Sequence, residues 1–189
     1  MLRKFELSKM MIPKLLKISL RHNNGYKSVA AVFTTLLFGT AATAATLPPL
    51  PEPVSNQLVM QTTVRGKSYL VSFAGLGADK TAAASHNKAW QLTEGNAMWQ
   101  PVAAVPNQAR KSGRLAATGL AMANNFFIFS GYSVAADGAE TTLTDSYRFS
   151  PVTQTYTKLP DMPVPVDDSL AVSYQDRYIY LVSGWHNDG

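Results

Sequence analysis

Three stretches of the chain climb through an unbroken apolar run and stop at a glycine: YLVSFAG ending at Gly75, NFFIFSG ending at Gly131 and YIYLVSG ending at Gly184. The glycines are 56 and 53 residues apart. Short runs of Phe, Tyr, Val and Ile between turn residues predict β-strands buried on both faces. Ahead of the second run, RLAATGLAMA from Arg114 is small and apolar, which suits a closely packed innermost strand. Behind it, SYRFS alternates and TYTKLP has the mixed character of an edge. Asn124-Asn125 marks a turn between the first two strands, and Ser150-Pro151 through Gln154 marks another. A glycine closing the second strand leaves room for a neighbouring backbone or a turn with positive φ.

The second half of the pattern repeats too. NKAWQL around Trp90 corresponds to DSYRFS around Tyr147, and Trp99 corresponds to Tyr156, both at an offset of 57 residues. Pro106 and Pro163 each follow seven residues after the second aromatic. Independent anchors agreeing on nearly one offset define a repeat of four short strands, stacked on its neighbours as repeat units must be to bury their faces. The expected fold is all-β. The units run over about 58–106, 114–163 and an incomplete 167–189.

Charge changes the picture only at the N-terminus. The chain has 189 residues and a formal charge of +5. Seven of its 17 Lys+Arg and one of its 12 acids fall in residues 1–44, so the rest is close to neutral. The body lacks the clustered cations that phosphate binding needs, and no nucleic-acid partner is expected. Residues 1–44 read as a signal peptide: a basic stretch to Lys27, the uncharged SVAAVFTTLLFG, then small residues with a cleavage site after Ala44. The basic stretch is long, which leaves Met10 or Met11 as alternative starts. Ser28 to Leu47 is charge-free over about the 20 residues a bilayer requires, so an uncleaved anchor is the alternative to cleavage. The expected localisation is periplasmic or secreted, with membrane contact only during export. Residues 45–57, mostly TLPPLPEPVSNQ, form a Pro-rich linker or a first edge. The absence of cysteine removes disulfides, thiolate metal ligands and a lipidated cysteine.

The repeat resembles a kelch repeat, in which each unit forms one four-stranded blade of a β-propeller. The kelch signature is an apolar run ending in a Gly pair, followed by a Tyr and a Trp across a turn. Here the pairs are Ala74-Gly75, Ser130-Gly131 and Ser183-Gly184, and the aromatics are Trp90/Trp99 and Tyr147/Tyr156. The resemblance covers 58–189 and implies about two and a half blades of an expected six. On that reading the sequence is a piece of a longer protein; closure by oligomerisation is the alternative. An export signal followed by kelch units that begin LPPLPEP is also similar to bacterial sialic acid mutarotases (N-acetylneuraminate epimerases), which interconvert sugar anomers without a cofactor. The resemblance places Arg114 where that family has an Arg opening an inner strand, and there it would hold a substrate carboxylate. Galactose oxidase has kelch-like blades as well, but its copper-radical site needs a Cys cross-linked to Tyr, and this chain has no Cys.

In an up-and-down sheet, the segment leading into strand one and the loop between strands two and three emerge on one rim. That rim carries the ligand-binding candidates: Arg114, with Asp167 and Asp168 as its expected counterparts in the next unit, then Tyr132 and the loop to Thr144, then Trp185 and His186. A guanidinium at Arg114 is suited to clamp a carboxylate or sugar hydroxyls; pairing with an Asp at a unit junction is its other reading. Asp167-Asp168 offers an acid/base pair, although adjacent strand residues point to opposite faces. Trp185 is suited to stack on a sugar ring, or to pack between units. His86 and His186 have no third ligand at metal spacing, so no metal and no cofactor is expected. No catalytic residue is assigned. Two functions fit these features: a carbohydrate or protein binding module, and a cofactor-independent sugar mutarotase.

Overall fold

The computed structural model describes residues 47–107 and 112–186. The expected leader at 1–44 lies outside them. Among the described residues, every element of two residues or more is a strand, apart from one 3₁₀ turn at Ala82–Ala84. The first sheet contains β1 (Val54–Ser55), β2 (Leu58–Val64), β3 (Lys67–Gly77), β4 (Ser85–Thr93) and β5 (Gln100–Val102). β1 and β2 share one edge of β3, and the antiparallel order continues through β4 to β5. The second sheet has β6 (Thr118–Met122), β7 (Asn125–Phe129), β10 (Ser146–Ser150) and β11 (Thr155–Leu159) in the same up-and-down order. Between β7 and β10 a small hairpin intervenes, β8 (Tyr132–Val134) with β9 (Glu140–Thr142), where the sequence suggested only a loop. The third sheet is the pair β12 (Leu170–Tyr174) and β13 (Tyr178–Val182).

Each sheet starts with a tight hairpin whose two turn residues both have positive φ: Arg65-Gly66 (51° and 78°), Ala123-Asn124 (48° and 62°) and Gln175-Asp176 (53° and 49°). This geometry matches the right-handed twist of the flanking strands. The middle turn lies one residue earlier than Asn124-Asn125, because Asn125 pairs with Met122 in the ladder.

Each second strand also ends alike. Ala74-Gly75, Ser130-Gly131 and Ser183-Gly184 all have two successive positive φ values. A Cβ on Gly131 would stand 2.5 Å from the Leu115 carbonyl oxygen, and one on Gly184 would stand 2.8 Å from that of Asp167. The glycines are required because the segment leading into the first strand crosses directly over them. The residue after each glycine pairs with that segment: Leu76 with Ser55, Tyr132 with Leu115, and Trp185 with Asp167. This common register makes Val166 the counterpart of Arg114, a correction to the expected match with Asp167 and Asp168.

Consecutive sheets join through equivalent residues. Ala116 N–H donates to the Asn56 carbonyl at 3.3 Å, and Asp168 N–H donates to the Ala116 carbonyl at 3.3 Å. The small first strand of the second sheet lies against the first sheet, with Gly119 close enough that a Cβ would meet Leu58 Cδ2 at 2.8 Å. Beside it, Phe73 of the first sheet meets Phe126 and Phe149 of the second edge to face, with centroids 5.8 and 5.3 Å apart. Val71, Ile128, Met60 and Ala89 complete this core. The outer strands are tied back as well: Tyr156 Oη donates to the Ala103 carbonyl at 3.0 Å, and Trp99 Nε1 donates to the Pro48 carbonyl at 2.9 Å. Pro48 thus does for the first sheet what the end of the first sheet does for the second.

Candidate functional site

Arg114 is the residue that the sequence analysis put first, and its side chain is fully buried (0% exposed). It does not open the inner strand; β6 begins four residues later. Nη2 donates to Asp145 Oδ2 at 2.7 Å, and Nη1 donates to the Ser130 carbonyl. Tyr147 Oη donates to the same Asp145 oxygen at 2.9 Å, and the guanidinium carbon lies 5.8 Å from the Tyr147 ring centroid. Burial, and then the bond to Asp145, push the Tyr147 hydroxyl up to about 12. The guanidinium is therefore engaged within the second sheet, in the pairing with an Asp that the sequence left open, and presents nothing to solvent.

The other five candidates converge beside the second and third sheets. Tyr132, the first residue of β8, is held through its backbone to Leu115 at 2.9 Å in both directions. Asp167 and Trp185 exchange the same pair of 2.9 Å bonds. Asp167 is nearly buried, and its Oδ2 accepts from Thr142 Oγ1 at 3.1 Å. Its carboxyl is held above the usual range by burial first, offset by the Thr142 bond, with Asp168 and Glu140 raising it further and His186 lowering it. Tyr132 is raised by burial and then by Glu140, Asp168 and Asp167, so its hydroxyl stays protonated and able to donate. Asp168 has a φ of 48°, which turns the chain sharply before β12, and its charge acts on both Asp167 and Tyr132. Trp185 is 68% exposed.

The cluster is an acid-rich rim with two aromatic residues, Tyr132 and Trp185. Glu140 and Thr142 belong to it, although the sequence reading singled out neither; the loop it placed on this rim contains both. No group of three or more acids and histidines suited to a metal occurs among the described residues. Open grooves of about 430 and 580 Å³ lie elsewhere, the first at Pro51, Lys88 and Trp90 and the second between the hairpin turns at Arg65 and Asn124. A smaller groove of about 280 Å³ on the same rim is bordered by Val134, Ala136 and Ser112.

What the architecture defines is an all-β protein made of small antiparallel up-and-down sheets that succeed one another in one register. Among solved structures, the chain is similar to one described as "Structure of YjhT", with a TM-score of 0.50 and 20% identity. The match covers 69% of this chain and 34% of that one, so the chain spans about a third of that structure's length. At this identity the likeness is one of fold. No family model matches the chain, and neither does any curated protein.

Proposed function

We propose that the chain is an exported set of about two and a half kelch-type propeller blades, part of an expected six, and that its rim at Tyr132, Asp167, Asp168 and Trp185 binds a carbohydrate or protein ligand. The three sheets with their shared Gly register and the fold-level likeness to a longer solved structure support the architecture. The exposed indole of Trp185 beside Asp167 carries the binding reading. An exposed indole offers a flat apolar face to a sugar ring, while carboxylates and a protonated phenol exchange hydrogen bonds with hydroxyls.

The sign of the rim's charge narrows the ligand. Asp167, Asp168 and Glu140 lie together, and the guanidinium of Arg114 is sealed in an internal ion pair. A neutral, polyhydroxylated ligand is the better fit, since an anionic sugar would meet three carboxylates. The mutarotase alternative loses the residue that was to hold a substrate carboxylate, so it rests on the fold alone.

The test is a fluorescence titration of the chain with neutral and acidic oligosaccharides. Of its three tryptophans, Trp99 is buried and Trp185 is the one with a large exposed surface. Saturable quenching by a neutral glycan, lost in Trp185→Ala, is the expected result. Quenching by acidic sugars alone, abolished by Arg114→Lys while Trp185→Ala has no effect, would overturn it.

A further inference from the structure

The first hairpin is longer than its counterparts. β2 and β3 share seven ladder pairs up to their turn, whereas β6 with β7 and β12 with β13 share five. Counted from the equivalent closing glycines, the first hairpin therefore runs two pairs, about 7 Å, past the second. Its last rungs are Thr63 with Ser68 and Val64 with Lys67, and they carry the turn at Arg65-Gly66 beyond the turn at Ala123-Asn124. Side chains alternate along a strand, so Lys67 and Tyr69 share the face of Val71 and Phe73, which looks onto the second sheet. The overhang and the second sheet border the open groove of about 580 Å³, with Arg65, Lys67 and Tyr69 on one side and Asn124, Asn125 and Val152 on the other. Both walls belong to sheets of this chain. Sheets join one another through their faces, so a groove at the strand ends stays uncovered when further sheets extend the row.

We infer that this groove is a docking site for an acidic peptide segment of a partner protein. Charge selects the sign of the occupant. Arg65 and Lys67 are exposed, and neither has an ion pair among the described residues. No acid lines the groove, and Glu94, on the next turn of the same sheet, is bound to the Ser68 N–H at 2.8 Å. Hydrogen-bonding groups select a peptide. The Tyr69 phenol and the Asn124 amide have no partner among the described residues. Asn125 donates to the Ala123 carbonyl at 2.7 Å and keeps its side-chain oxygen as an acceptor. A carboxamide both donates and accepts, which matches the paired groups of a peptide backbone. Width points the same way. Packed sheets stand about 10 Å apart, more than one carboxylate spans, so a chain segment can meet the cations on one wall and the amides on the other. Val64 and Val152 add apolar contact between them. The acid-rich rim at Tyr132 and Trp185 lies at the opposite strand ends, so this site does not depend on the ligand reading there.

The experiment is fluorescence anisotropy of a labelled short peptide of alternating Glu and Val, titrated with the full chain, beside a Gln/Val peptide carrying the same label. The expected result is saturable binding of the Glu peptide alone, weakened by added salt. Arg65→Gln/Lys67→Gln is expected to weaken it roughly tenfold, the scale of two exposed charge pairs lost together, and Asn124→Ala about threefold. Circular dichroism of these variants is expected to match the parent, because all three residues are exposed. Lys158→Gln, which removes a cation paired with Asp161 on β11, and Trp185→Ala on the other rim are expected to leave binding unchanged. Absence of saturable binding overturns the inference, as does equal binding of the Gln/Val peptide or binding that survives the double variant. So does a Lys158→Gln variant weakened as much as the double one, which makes net charge the cause. Binding of a uronic-acid oligosaccharide that the double variant abolishes, with the Glu peptide inert, also overturns it and assigns the groove to an anionic glycan.

Discussion

Replacing Arg114 by methionine tests whether the guanidinium is structural. The change removes the 2.7 Å bond to Asp145 and the bond to the Ser130 carbonyl, and leaves a carboxylate with no exposed surface whose one remaining donor is Tyr147. Breaking a buried pair from one side costs about 3–5 kcal/mol, because the orphaned charge keeps its desolvation penalty. Asp145→Leu orphans the guanidinium in turn and costs about the same. The double variant Arg114→Met/Asp145→Leu removes both charges, and its cost falls to about 1–3 kcal/mol for the unpaired Ser130 carbonyl and Tyr147 hydroxyl. The double variant is thus expected to be more stable than either single one, with a coupling of about 3 kcal/mol or more. Urea unfolding followed by far-UV circular dichroism reads this as a midpoint that recovers in the double variant at unchanged slope. The reasoning fails if the two costs simply add, or if Arg114→Met leaves the midpoint in place while glycan binding disappears.

Three further outcomes follow from the geometry. Gly131→Ala forces a Cβ to within 2.5 Å of the Leu115 carbonyl at a φ of 94°, whereas a Cβ on Gly138, at 87°, meets nothing within 4 Å. Chemical denaturation should therefore show Gly131→Ala to be the costlier change by at least about 2 kcal/mol. Phe126→Ala removes a ring packed against Phe73 and Phe149 and is expected to cost about 3–5 kcal/mol in the same assay. For Asp167, a folded-state pKa above the unfolded one means that the native state binds the proton more tightly, so its carboxyl favours folding below the unfolded pKa and loses that contribution as pH rises through the folded pKa. Asp167→Asn is accordingly expected to be more stable than the parent at neutral pH, with the advantage shrinking as the pH is lowered through the folded value; a difference that grows on acidification contradicts it.

Much of the strand pattern was legible in the residues because it depends on local composition. NFFIFSG predicted β7 and its closing glycine, and SYRFS predicted β10 to the residue. Asparagine's turn preference points to Asn124-Asn125, one position beyond the turn at Ala123-Asn124, because the ladder's register decides instead and assigns Asn125 to a strand. The hairpin of β8 and β9 is short and polar, and it forms where Tyr132 is clamped by Leu115, a contact no local pattern reveals. Arg114 shows the same limit in energetic form. Its partner lies 31 residues away, and only the approach of β10 to β7 determines that Asp145 reaches the guanidinium before any ligand can. Tyr132 and Trp185 follow the equivalent glycines Gly131 and Gly184, so the repeat phase puts them at equivalent positions; Asp167 is the counterpart of Leu115 and not of Arg114, and Glu140 and Thr142 required the folded hairpin.

The bond between Trp99 and the Pro48 carbonyl has a mechanical side. The segment from Leu47 to Pro53 is held by that one bond, by the Lys88–Glu52 ion pair at 2.7 Å, and beyond it by the two residues of β1. These attachments are arranged one after another along the segment, so a force applied at Leu47 loads them in sequence and peels them like a zip instead of shearing them together. β2 comes next, with seven ladder pairs to β3, and resists only after the strap has come away. The structure therefore has a built-in order of rupture for tension applied at Leu47: the strap through β1 yields before the seven-pair ladder of β2.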